Sequence, residues 1–151
     1  MPEFRFHRLE RRRLEQALPD LLEAALGRGG RIVVQAASRE ACDALNERLW
    51  TFREDSFLPH GGSGDGEAAS QPIFLTDNAE NPNGARLRVL LDPAEAARFA
   101  ADPAEQVIVL FDSRDEATMA AARAAWKALA SAGADVSYWR EGDEGEWVKA
   151  R

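Results

Sequence analysis

Residues 106–139 read QVIVLFDSRDEATMAAARAAWKALASAGADVSYW and decide the fold. Their opening run of β-branched and aliphatic residues predicts a buried strand. Ser113 and Glu116 form a capping-box pattern before an alanine-rich stretch that ends at Gly133, so a helix is expected between them. The closing letters, ADVSYW, predict another strand. Strand, helix and strand in this order are typical of a parallel sheet with a right-handed crossover.

The same alternation runs through the rest of the chain. Strands are predicted over 4–9, 31–36, 72–76 and 87–91, and helices over 14–26, after Ser38 and over 93–101. This order favours an α/β fold, a three-layer sandwich with a mostly parallel twisted sheet and Rossmann-like topology but no nucleotide-binding loop. We expect one domain over 1–139 and an acidic, flexible tail over 140–151.

Composition limits the possible classes of function. The chain has 151 residues, of which 45% are hydrophobic and 30% charged, as in a domain with its own core. No apolar run approaches the roughly 20 residues of a bilayer span, and the start lacks the pattern of a secretory signal. The single cysteine, Cys42, can form no intrachain disulfide, so a cytoplasmic location is expected. A formal net charge of −7 argues against strong, direct binding to nucleic acid.

Sequence motifs for catalysis are missing where an α/β fold would carry them. The turn after the second strand, QAASRE over 35–40, has no glycine that would bring backbone amides around a phosphate. We expect His7 to be a half-exposed strand residue, His60 to lie in a glycine-rich loop and Cys42 to be packed in a helix. We therefore expect no catalytic residue, no metal and no cofactor. The alternative is an enzyme that binds a nucleotide or a phosphorylated ligand in the crevice of the sheet.

The last helix carries the side chains best suited to a ligand. One side of its helical wheel holds alanines and predicts the face that lies on the sheet: Ala121, Ala124, Ala125, Ala128 and Ala132. The other side holds Met119, Arg123, Trp126 and Lys127. A tryptophan between two cations suits an anionic ligand with an apolar end, because the ring offers contact area and Arg123 can clamp a carboxylate. In the alternative interpretation Trp126 packs against a loop and the two cations only solubilise the helix.

A second apolar cluster precedes the glycine-rich loop. It consists of Trp50, Phe52, Phe57 and Leu58. Such a cluster is either a small satellite core under the loop or a surface for a partner protein.

Several segments taken together resemble the chi subunit of bacterial DNA polymerase III. They are ALNERLW over 44–50, SFLPH over 56–60, QPIFLT over 71–76, NPNGA over 81–85 and ARAAWKA over 122–128. The first two resemble a signature of the family in both residues and spacing. The similarity extends over nearly the whole chain, to about Tyr138.

This resemblance implies an accessory subunit of the clamp-loader assembly with no polymerase activity of its own. Family members bind the acidic C-terminal tail of single-stranded-DNA-binding protein, and the family's tail-binding arginine, aromatic residue and lysine fall on Arg123, Trp126 and Lys127. A further lysine of the family falls on Met119, so part of the cationic rim differs here. The surface for the psi subunit includes the aromatic residue matching Phe57, with Trp50 close by. A rival function is direct binding of single-stranded DNA through exposed tryptophans, which the net charge disfavours.

Overall fold

The computed structural model describes residues 2–51, 60–62 and 72–151, with the backbone alone for 49–51 and 60–62. Within these residues the strands are β1 Glu3–Leu9, β2 Ile32–Gln35, β3 His60–Gly62, β4 Ile73–Thr76, β5 Leu87–Leu90, β6 Gln106–Asp112, β7 Asp135–Glu141 and β8 Trp147–Lys149. The helices are α1 Leu14–Gly27, α2 Arg39–Thr51 and α3 Glu116–Ser131, with a 3-10 helix over Pro93–Phe99. No helix of this part of the chain is long and apolar enough to cross a membrane.

The strands form one sheet in the order β3-β4-β2-β5-β6-β1-β7-β8. Every neighbouring pair is parallel except β7 and β8, which are antiparallel. Helices α1 and α2 cover one face and α3 with the 3-10 helix covers the other, so each face has its own apolar core. The predicted α/β sandwich with a mostly parallel sheet is confirmed.

Strand β1 lies at the centre of the site described below. It pairs with β6 on one side and with β7 on the other. Because side chains of a strand alternate between the two faces, Phe4 and Phe6 join the core under α3, whereas Leu9 joins the core under α1. By the same alternation, Arg8 lies on the α3 face and His7 on the α1 face.

The starts of two helices test the capping predictions. Ser38 does cap α2, since its Oγ accepts a hydrogen bond from the Ala41 amide at 3.1 Å. The capping box predicted at Ser113 is wrong: the N-cap of α3 is Asp115, and the Ser113 hydroxyl instead donates to the Leu9 carbonyl at 2.8 Å. The reason is a turn at Asp112, whose carboxylate accepts from the Arg114 amide and delays the start of the helix.

Two segments near the sheet edges differ from the sequence-based expectation. His60, expected in a loop, lies in β3 beside β4. The segment 140–151, expected as a flexible tail, continues β7 to Glu141 and returns as β8, with the Ala150 amide donating to the Tyr138 carbonyl at 2.7 Å. Trp147 packs against the core under α1, which supplies the apolar contact that a free tail would lack.

Candidate peptide-binding groove

A groove of about 810 Å³ lies between α3 and the carboxyl ends of β6, β1 and β7. The side chains lining it are aromatic, aliphatic or cationic: Arg8, Phe111, Met119, Ala122, Arg123, Ala124, Trp126, Lys127, Tyr138, Arg140, Ala150 and Arg151. No acidic side chain occurs among these lining residues. Arg123, Trp126 and Lys127, predicted from the helical wheel and from the resemblance, are therefore brought together in one cavity.

The face of α3 that meets the sheet differs from the predicted one. Ala122, Ala125 and Leu129 are buried, whereas Ala124 and Ala128 of the predicted contact face are exposed. The helix is rotated so that Trp126, expected on the outer side, packs against the core under α3 and is only half-exposed. Burying a tryptophan ring removes far more apolar area from water than burying an alanine, so the ring decides the rotation.

The floor of the groove is a set of aromatic rings held edge to face. The Trp126 ring lies 5.4 Å from that of Phe6 and 6.0 Å from that of Tyr138, centroid to centroid. Tyr138 in turn lies 6.3 Å from Phe111, a residue of β6. Contacts of this geometry are favourable and leave ring surface facing the cavity. The floor therefore suits an apolar or aromatic side chain.

Two exposed cations stand along the helical wall. Arg123 and Lys127 lie one helical turn apart, on the same side of α3. Neither forms an ion pair with any residue in the described part of the chain. Their charges are available to an anion, and Met119, where the resemblance places a lysine, contributes only apolar surface beside them.

The strand wall carries cations that the sequence did not single out. Arg8 of β1 and Arg140 of β7 both line the groove, and Arg151 lies beyond them, where its carbonyl accepts from the Tyr138 amide at 3.1 Å. One weak signal could have found two of these residues. Arg8 follows Phe6 by two positions and Arg140 follows Tyr138 by two, which places each pair on one face of its strand.

His7, predicted to be half-exposed, is buried on the opposite face of the sheet. It is 4% exposed, and its ring lies 4.5 Å from that of Trp147 and 5.9 Å from that of Trp139. Burial lowers the pKa of His7 to about 3, with Arg5 and Arg28 adding to the effect, so the imidazole is neutral at physiological pH. His7 therefore takes no part in the groove.

The remaining candidates lie away from the groove. Cys42 is buried in α2, as expected, and burial raises the pKa of its thiol, which keeps it protonated. Phe57 and the side chain of Trp50, predicted for a psi-like partner, lie outside the described residues. On the α1 face, the crevice beyond β2 is lined mainly by alanine and leucine, among them Ala36, Ala37 and Leu45. Glu15 and Arg48 also line it, and the turn over 35–40 beside it has no glycine that would bring backbone amides around a phosphate.

The chain is similar to proteins of a known family. A family model described as DNA polymerase III chi subunit, HolC, matches residues 1–137. The protein named probable DNA polymerase III subunit chi from Rickettsia prowazekii (strain Madrid E) is 30% identical over 99 residues, which is 66% of this chain and 60% of that protein. The chain thus spans less than two thirds of that relative's length.

Proposed function

Because the chain belongs to the DNA polymerase III chi subunit family, we propose that it is an adaptor that holds the acidic C-terminal tail of single-stranded-DNA-binding protein in the groove beside α3. A chi subunit is an accessory subunit of the polymerase and not its catalytic one. The adaptor would connect the coated single strand to the clamp loader, and it would need no catalytic residue of its own.

The observation that carries this proposal is the charge of the groove compared with that of the whole protein. The chain has a formal net charge of −7, yet the groove is lined by four arginines and one lysine, with no acidic side chain among its lining residues and with Glu10 the one carboxylate paired to them in the described part of the chain. A cationic cavity on an acidic protein favours a local anionic ligand over an extended one, because binding responds to the local potential. The aromatic floor adds a requirement for an apolar group on that ligand.

A peptide that ends in acidic residues and a final phenylalanine satisfies both requirements. The phenylalanine ring would pack on Trp126 and Tyr138, where it would be largely removed from water. Its terminal carboxylate would accept two parallel hydrogen bonds from the guanidinium of Arg123, a geometry that lysine cannot match. Lys127 would add a mobile positive charge for a preceding acidic side chain.

The link to the clamp loader is proposed through a second surface. The resemblance assigns it to Phe57 with Trp50 close by, as a contact for a psi-like subunit. Loss of co-purification with such a subunit on Phe57→Ala, with tail binding unchanged, is the expected result.

Fluorescence anisotropy of a labelled peptide ending in Asp-Ile-Pro-Phe tests the groove. Wild type should bind saturably and less tightly at high salt, since charged contacts are screened. Arg123→Ala should cost about 1.5–3 kcal/mol, the range for a lost charged hydrogen bond. Arg86→Ala is a matched control, because Arg86 is exposed and pairs with Glu105 away from the groove. Equal binding by wild type and Arg123→Ala would refute the assignment of this helix.

A further inference from the structure

Arg8 and Arg140 face each other across β1 and β7 at the end of the groove. The strand register pairs these two residues directly, and both line the same cavity. Two like charges opposite each other in a sheet repel, and such a pair normally destabilises it. An anion between the two guanidinium groups would relieve this repulsion.

Within the described residues, one carboxylate supplies that anion. Oε1 of Glu10 accepts hydrogen bonds from Nε and Nη2 of Arg140 at 3.0 and 2.8 Å, and it lies 3.1 Å from Nε of Arg8. Neither arginine is within ion-pair distance of any other described carboxylate. Two cations therefore share a single negative charge, and one positive charge is left over.

The pairing with Arg8 is also incomplete in its geometry. Nε of Arg8 is buried and has no hydrogen-bond partner, although Glu10 is near enough to interact with it electrostatically. The other end of the same guanidinium makes only a long hydrogen bond, 3.5 Å from Nη1 to the Tyr138 hydroxyl. A buried donor without an acceptor is costly, and a carboxylate from outside that displaces Glu10 would give the Arg8 guanidinium, whose side chain is 30% exposed, a better-aligned partner.

We propose that Arg8 and Arg140 form a second carboxylate site in the groove, occupied by an acidic residue that precedes the apolar end of the bound peptide, and that Glu10 is an internal competitor for this site. The proposal rests on the function proposed above and deepens it. The helical wall, with Arg123, binds the carboxyl-terminal end of the peptide, and the strand wall, with Arg8 and Arg140, binds an acidic residue before it. The strand wall thereby supplies positive charge that Met119 does not provide on the helix.

Three full-length variants and two peptides test this proposal by anisotropy. Arg140→Gln should weaken binding of the fully acidic peptide by roughly two- to fivefold, the range for an exposed ion pair. It should leave unchanged the binding of a peptide whose upstream acidic residues are replaced by asparagine. Glu10→Gln should tighten binding of the acidic peptide by roughly two- to threefold, because the internal competitor is removed. Glu105→Gln removes the same charge at a distant exposed site and should change neither peptide's affinity.

The outcomes separate this proposal from the function on which it rests. If Arg123→Ala abolishes binding while Glu10→Gln and Arg140→Gln behave as wild type with both peptides, the tail site stands and the second carboxylate site is refuted. If wild type binds neither peptide, both proposals are refuted. Tighter binding by Glu10→Gln of the acidic peptide, but not of the asparagine-substituted peptide, is the result that a purely structural Arg8–Glu10–Arg140 cluster does not explain.

Discussion

Replacing Glu141 by glutamine tests whether the carboxyl-terminal hairpin is an integral part of the fold. The Glu141 side chain is 1% exposed, and its carboxylate accepts hydrogen bonds from the Glu10 amide at 2.7 Å, the Arg11 amide at 3.0 Å and Nε of Arg12 at 2.9 Å. The residue thus ties the end of β7 to the loop after β1. A glutamine of the same shape keeps one carbonyl acceptor but loses the charge.

The cost follows from these contacts. A hydrogen bond to a charged group contributes about 1.5–3 kcal/mol, and breaking a buried ion pair costs more than that. Since the amide oxygen of glutamine retains part of the network, we expect Glu141→Gln to lower the free energy of unfolding by about 2–3 kcal/mol. For a domain of this size that corresponds to a fall in Tm of roughly 5–10 °C.

The pH dependence gives the prediction a second test. Burial alone would raise the pKa of Glu141, but hydrogen bonds from the Arg11 amide and the Arg12 guanidinium outweigh it, and the pKa lies below the ordinary value of 4.5. A carboxylate with a lowered folded-state pKa stabilises the fold above its unfolded pKa and stops doing so as the pH falls through the folded value. The difference between wild type and Glu141→Gln should therefore be complete at pH 7 and shrink below about pH 4.5.

Chemical denaturation followed by circular dichroism measures both quantities, and Glu144→Gln on the exposed turn of the hairpin is the control. Hydrogen exchange should show protection of the Ala150 amide in wild type and its loss in the variant. A destabilisation below about 0.5 kcal/mol, the level of an ordinary surface substitution, would refute the integral role of the hairpin.

Three further predictions concern the cores and the groove floor. His7→Phe should gain stability relative to wild type as the pH falls from 6.5 toward 3. Because the pKa of His7 is lowered in the folded protein, only the unfolded state of wild type takes up a proton over this range. A difference in the free energy of unfolding that stays constant across this range would contradict the prediction. Arg88→Lys should lower the free energy of unfolding by about 3 kcal/mol, since the fully buried Arg88 donates hydrogen bonds to Gln35 and to two backbone carbonyls. A change of less than about 0.5 kcal/mol in chemical denaturation would show that a lysine can replace these hydrogen bonds. Trp126→Phe should keep the fold but weaken peptide binding by roughly fivefold. A Kd equal to that of wild type in the anisotropy titration would mean that the peptide does not contact the Trp126 ring.

The fold could be read from the sequence because its strands carry local signals. The runs around Val33, Phe74 and Val109 are β-branched or aromatic and are flanked by turn residues. The two outer strands could not be read in this way. β3 contains two glycines in three residues, and β8 has the exposed Val148 at its centre. Each of these strands is stabilised by the strand beside it and not by its own residue preferences, so its position depends on contacts that the local sequence does not show.

The candidate groove was only half predictable for a related reason. Arg123, Trp126 and Lys127 lie within one turn and a half of a single helix, so helical periodicity alone groups them. Arg8 and Arg140 are far apart in sequence and meet only because β1 inserts between β6 and β7. The strand register, which fixes their distance, is set by the whole sheet. The helical wheel did not predict the rotation of α3, because it groups residues by angle and does not weigh the free energy of burying one tryptophan against that of burying several alanines.

The acidic net charge and the cationic groove have different consequences for the two kinds of anionic partner. At physiological ionic strength charges are screened over about 8 Å, so an acidic side chain held in the groove responds chiefly to the cations lining it. A nucleic-acid strand is longer than this distance, so most of its phosphates would lie outside the groove, on a protein whose formal net charge is −7. A short peptide bound as proposed would place its negative charge inside the cavity and its apolar end on the aromatic floor. This difference in charge is the physical reason for proposing the tail of a DNA-binding protein as the ligand in preference to the DNA itself, although both are anionic.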